Sequence, residues 1–111
     1  MTERDSVGAF EYLVLVATLS LRGEGYAVTI REAIERNSGR TVARGALYTT
    51  LARLEHKALV RSTFGDATPV RGGRPKRFYE LTPAGERAVR ATRAELITPW
   101  AAAIRRLSGA S

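Results

Sequence analysis

Two groups of residues in this chain have the types and spacing for chemistry, and in both the chemistry is that of gripping a polyanion. The first is RGGRPKR at 71–77. Between positions 61 and 77 the cations Arg61, Arg71, Arg74, Lys76 and Arg77 face Asp66 as the one acid. Gly72 and Gly73 let a backbone come near a sugar-phosphate rail, and Arg74, between Gly73 and Pro75, suits a narrow A·T-rich minor groove whose negative potential attracts arginine. The GRP core matches an AT-hook in part, with glycine in the preceding position where that motif has arginine.

The second group lies on a segment from Thr41 to about Lys57. At 100° per residue, Leu47, Leu51 and Leu54 share one seam, and Val42, Gly45, Ala46, Thr49, Ala52, Arg53 and His56 share the opposite face, flanked by Arg44 and Tyr48. A solvated face would carry Glu, Lys and Gln; small side chains instead allow another surface to approach the helix backbone. Thr49 has the size to touch a base edge or a thymine methyl, Arg53 can reach a phosphate or a guanine, and the first amides of the helix offer themselves to phosphate.

Bond-making chemistry finds little to work with. The chain has one histidine, His56, and no cysteine, and no serine is placed with a base. A zinc site needs about four ligands, and no partners for His56 are spaced to supply them. Glu32 and Glu35 read as solvated residues of a surface helix rather than an acid/base pair. An enzyme is therefore not expected, nor a metal or other cofactor.

The elements that must position these residues follow from periodicity. A first helix is expected over about 7–21: Phe10, Leu13 and Ala17 form one stripe, while Tyr12, Leu15, Val16 and Leu19 fill most of the circumference. A helix apolar on nearly all sides needs cover on nearly all sides, and a second subunit is a natural source of it. RGEG at 22–25 breaks this helix, a second helix is expected from Tyr26 to Asn37, and Ser38-Gly39 ends it. Thr41 reads as the N-cap of the third helix. LVRSTF at 59–64 and KRFYEL at 76–81 read as strands, joined by a glycine- and proline-containing loop too long for a tight turn. Thr82 and Pro83 then form an N-cap and N1 pair with Glu86 in the first turn, starting a helix that runs to about 107 with a kink or break near Thr98-Pro99.

Helix, helix, helix, strand, basic loop, strand, helix is the order of a mainly α, winged helix-turn-helix fold with a C-terminal helix. Residues 1–82 are expected to form the winged unit and 83–111 a C-terminal helix of the same compact body, to which the family resemblance given below assigns dimerisation. The third helix would enter a major groove and the 65–75 loop would grip backbone or minor groove. The net charge of +7, from 18 Lys and Arg against 11 acids in 111 residues, fits a polyanionic partner. TERDS at the start has no basic-then-apolar signal pattern, and the most apolar run, 9–21, contains Glu11 and is shorter than the ~18–20 residues of a membrane span. With no cysteine, a reducing cytoplasm is the expected setting.

GALYTTLARLEHKALV at 45–60, RGGRPKRFYELTPAGE at 71–86 and GEGYAVTIREAIE at 23–35 together resemble the PadR family of bacterial winged-helix transcriptional regulators over about residues 8–90. The resemblance implies a homodimer built on the N- and C-terminal helices, a roughly palindromic double-stranded DNA operator, and repression. It implies Tyr48 as a DNA-facing residue and RGGRPKR as the wing tip. With the residue-level reading, the expected DNA contacts are Arg44, Gly45, Ala46, Tyr48, Thr49, Arg53, Arg71, Gly73, Arg74 and Lys76. Phe10, Leu13, Leu96 and Trp100 are expected at the dimer interface. Ala58 departs from the family, which usually has glycine there, and the short C-terminal region suits the compact subfamily. Some compact members stack flat apolar ligands on a tryptophan placed like Trp100, so a small hydrophobic effector stands beside plain dimer packing. A winged helix that binds protein or RNA is the remaining alternative.

Overall fold

A computed structural model describes residues 5–65 and 75–109. In chain order they form α1 (Ala9–Ser20), α2 (Ala27–Ser38), α3 (Arg44–His56), β1 (Val60–Phe64), β2 (Arg77–Leu81), α4 (Pro83–Leu96), a 3₁₀ turn (Thr98–Trp100) and α5 (Ala101–Gly109). The fold is mainly helical with one antiparallel hairpin, in the order of a winged helix. No described helix is long and apolar enough to cross a membrane.

The core forms where the helical stripes meet. Val14 and Leu15 of α1, Ile30 of α2, and Leu47, Leu51 and Leu54 of α3 are sealed from solvent together with Val60 of β1. Burying side chains of this kind contributes about 1.5–3 kcal/mol each, which is what holds three short helices together. α1 is only partly covered by its own chain. Val14, Leu15, Ala17 and Thr18 are buried, while Val16 and Leu19 remain 36% and 45% exposed.

The link between α2 and α3 differs from the sequence expectation at two residues. α3 starts at Arg44 with Ala43 in the cap position, so Thr41 is not its N-cap, and no side chain caps this helix. Val42 is buried in the core rather than exposed on the small-residue face. Its N–H donates to Glu35 Oε2 at 2.8 Å and its carbonyl accepts from Arg31 Nε at 2.9 Å. α2 thus satisfies both backbone groups of an extended apolar plug, and helical geometry begins only after it. Gly39, at φ +70°, closes α2 as the Asn-Ser-Gly pattern indicates.

At the far end of α3 the chain turns through a Schellman motif: Leu59 N–H donates to Leu54 O and Ala58 N–H to Glu55 O, both at 2.9 Å. The left-handed position of that motif, φ +62°, is held by Ala58. The hairpin follows in the register Val60↔Leu81, Ser62↔Tyr79, Phe64↔Arg77, and Tyr79 N–H also reaches Gly25 O at 2.8 Å, tying the wing to the α1–α2 turn.

Thr82 caps α4 by accepting from Gly85 N–H at 3.1 Å, with Pro83 in the first turn, as the sequence predicts. α4 lies against α1, where Thr92 Oγ1 accepts from Val7 N–H at 2.9 Å. The expected interruption near Thr98 is a full break: α4 stops at Leu96, Thr98-Pro99-Trp100 makes one 3₁₀ turn, and α5 restarts the helix. α5 buries none of its residues.

Candidate nucleic-acid interface

The Leu47, Leu51 and Leu54 seam turns the rest of α3 outward. Arg44, Gly45, Ala46, Thr49, Ala52, Arg53 and His56 are all exposed, as is Tyr48 at 51%. A methyl group added at Gly45 would meet nothing within 4 Å, so the backbone there is open to an approaching surface. With Ala43 at the cap and no acid in the first turn, the first amides of α3 are neither capped by a side chain nor opposed by a carboxylate. That leaves the positive end of the helix dipole free to favour an anion.

The two edges of this face differ. On the α1 side, Arg53 lies 4.0 Å and Lys57 3.0 Å from Glu11 Oε2, while Glu11 Oε1 accepts from Gly8 N–H at 3.2 Å. Burial pushes the Glu11 carboxyl upward, but the Lys57 and Gly8 hydrogen bonds and the charges of Lys57 and Arg53 together hold it below its ordinary value. Arg53, half exposed, is therefore loosely tethered rather than free.

On the wing side, Tyr48 shares a cleft with Tyr26, Ala27 and Val28 at the start of α2 and with Pro75, Lys76, Arg77 and Tyr79 at the base of the wing. Lys76 Nζ stands 4.6 Å over the Tyr26 ring, and Phe78 meets the same ring edge-on at 5.8 Å. No carboxylate pairs with Lys76 among the described residues. The neighbouring cations are neutralised: Arg61 by Glu80 at 3.3 Å and Arg77 by Glu55 at 2.8 Å. Burial pushes the Tyr79 hydroxyl upward, with Arg77 pulling the other way.

The structure thus brings Arg44, Gly45, Ala46, Tyr48, Thr49 and Arg53 onto one exposed helix surface, with Lys76 beside it across the cleft. Arg71, Gly73 and Arg74 lie outside the described residues. Sequence reasoning missed Tyr26 as the ring that carries Lys76; an aromatic residue just ahead of the second helix was the available signal, and its partner is 50 residues away. Of the residues expected at a dimer interface, Phe10 packs on the core beneath the Arg40 guanidinium at 4.9 Å, and Leu13 lines an apolar groove with Val16, Ala17, Ala33 and Ile34. Leu96 and Trp100 are 49% and 60% exposed.

Residues 15–91 match the transcriptional regulator PadR-like family. The chain belongs to this family. PadR-like proteins are transcriptional regulators rather than enzymes. Over 99 residues the chain is 39% identical to an uncharacterized 37.1 kDa protein in transposon TN4556 of Streptomyces fradiae, covering 89% of this chain and 24% of that protein. The chain therefore spans about a quarter of the length of that curated relative. Among solved structures, a transcriptional regulator from Clostridium thermocellum superposes with a TM-score of 0.68 at 20% identity, covering 86% of this chain and 89% of that one. Bacillus subtilis PadR in complex with operator DNA superposes with a TM-score of 0.64 at 17% identity, covering 81% of this chain and 48% of that one. These structural likenesses establish a shared fold.

Proposed function

We propose that this PadR-family chain is a sequence-specific DNA-binding repressor that acts as a homodimer on a palindromic operator. The observation that carries the reading is the exposed, small-residue face of α3 around Gly45 and Thr49, lying beside Tyr48 and Lys76, which pairs with no carboxylate among the described residues. α3 enters the major groove, with Thr49 at a base edge and Arg44, Tyr48 and Arg53 on the flanking backbone. The wing, including Arg71, Gly73 and Arg74, follows the phosphates or the adjacent minor groove. The relative solved with operator DNA supports the same use of the fold. A DNA-binding role also assigns the chain to the cytoplasm.

Val16 and Leu19 on α1 and Leu96, Ile97, Trp100, Ile104 and Leu107 at the C-terminal end are among the large apolar side chains left exposed, and they leave apolar surface for a partner to cover. A second copy covers it in the proposed dimer, with 83–111 as the dimerisation arm and 1–82 as the DNA-binding unit. The two copies of α3 then reach successive major grooves, ~34 Å apart. Footprinting on the promoter upstream of the protein's own gene, with the mass in solution measured alongside, tests both parts. A two-fold-symmetric protected site and a dimeric mass are expected; a monomer, or protection without symmetry, overturns the dimeric reading.

The exposure of Trp100 favours a second reading that coexists with the first, in which a flat apolar effector stacks on this indole between subunits. Trp100 is the chain's one tryptophan, so its fluorescence reports on that position alone. Quenching by planar apolar compounds that also release DNA is expected if the effector reading holds; quenching without release leaves Trp100 as a packing residue.

A further inference from the structure

Arg77 belongs by sequence to the cationic run of the wing, yet its surroundings separate it from Lys76. Its Nη2 lies 2.8 Å from Glu55 Oε1 and its Nε donates to Ser62 Oγ at 2.9 Å, while Ser62 Oγ donates to Glu55 Oε2 at 2.6 Å. Glu55 is on α3, Ser62 on β1 and Arg77 on β2, so this closed ring of three hydrogen bonds joins the helix to both strands of the wing. The guanidinium also lies 5.6 Å from the Phe64 ring centroid and 5.7 Å from that of Tyr79. Two donors are engaged at fixed angles and the plane sits among aromatic rings, an arrangement that a guanidinium satisfies and an ammonium does not.

We infer that Arg77 is a positioning residue: held by Glu55 and Ser62, it fixes the angle of the β1–β2 hairpin against α3 so that the hairpin base, with Lys76, meets DNA in register with the helix. The inference rests on the proposed DNA-binding reading. Arg77 stands where the loop returns to the hairpin, beside the Gly65 N–H···O Lys76 bond of 2.8 Å that closes the last rung. The ring also engages the charge of Arg77, whereas Lys76 meets no carboxylate among the described residues.

Two measurements test this. In the DNA-free protein, the ¹⁵N-detected Arg77 Nε–H should be protected from exchange with water, and Ser62→Ala, which removes its acceptor, should abolish that protection. An Nε–H that exchanges as fast in wild type as in Ser62→Ala would overturn the proposal. In salt titrations of operator binding, Arg77→Gln, Arg77→Lys and Glu55→Gln should each weaken affinity about tenfold with the salt slope unchanged, a scale typical of coupled charge networks. The charge-reversed pair Glu55→Arg with Arg77→Glu should recover part of the loss. If Arg77→Lys binds like wild type, or Arg77→Gln lowers the slope by about one unit, Arg77 is a phosphate contact and the proposal falls. Circular dichroism melts of each variant separate these results from unfolding. Wild-type protein that keeps the protected Nε–H but binds no duplex would instead overturn the functional reading, a failure distinct from the others.

Discussion

The Thr82 hydroxyl donates to the carbonyl of Ala58 across 2.6 Å, joining the start of α4 to the turn that ends α3. That bond holds a residue whose own backbone resists the position, since Ala58 sits at φ +62°. A left-handed alanine costs about 1–2 kcal/mol, and glycine removes that cost while adding about 0.4–1 kcal/mol of unfolded-state freedom. Ala58→Gly should therefore stabilise the protein by about 0.5–1 kcal/mol. A raised denaturant midpoint at constant slope would bear this out, and a lowered midpoint would show that the turn is not strained.

Gly85, in the first turns of α4, is required for the opposite reason. It is buried, and a Cβ there would be driven into the carbonyl oxygen of Leu59, a backbone atom that cannot rotate aside. Gly85→Ala should destabilise by more than the ~1–3 kcal/mol usual for overpacking, because α4 must lift from the turn after α3. A thermal melt within a degree or two of wild type would contradict that close approach.

The helices and strands were legible in the sequence because each carries a local signal: the Leu47–Leu51–Leu54 seam, the Asn37-Ser38-Gly39 stop, the Thr82-Pro83 start. The open face of α3 was legible too, since it is the complement of that seam. What the sequence concealed depends on distant partners. Thr41 looks like a cap until Glu35 and Arg31 are seen to claim the backbone of Val42. Arg77 looks like one more wing cation until Glu55, 22 residues away, is found to neutralise it. Lys76, its neighbour, lies over an aromatic ring and pairs with no carboxylate among the described residues. Charge counts along a chain do not distinguish these two.

Glu11 gives the fold a pH dependence. Its carboxyl lies below the ordinary value of 4.5 in the folded chain, so the ionised form is favoured by folding. The stabilisation is fully present above that ordinary value and is lost as pH falls through the lowered one. Lys57 and Arg53 are about half exposed, so solvent screening limits the effect to under about 1 kcal/mol. Glu11→Gln should be slightly less stable than wild type at pH 7, and the gap should narrow as pH falls below the ordinary value of 4.5, as a series of urea melts would report. A gap that stays unchanged through the acid range would mean that Glu11 acts by packing and not by charge.

Lys76 and Thr49 should fail in different ways when DNA binding is measured. Lys76 pairs with no carboxylate among the described residues, so Lys76→Gln should weaken binding to all duplexes alike and reduce the salt slope by ~0.9, the share of a single phosphate that the variant no longer neutralises. Thr49 stands uncharged at the centre of the exposed face of α3, so Thr49→Ala should leave the slope untouched and change base preference at one position in each half-site, by about 1–3 kcal/mol for the preferred base. Titrations over a series of salt concentrations, with an operator library mutated one base pair at a time, separate the two effects. A uniform loss for Thr49→Ala would move it from base reading to backbone positioning, and an unchanged slope for Lys76→Gln would take Lys76 off the phosphates and leave its charge to the Tyr26 ring.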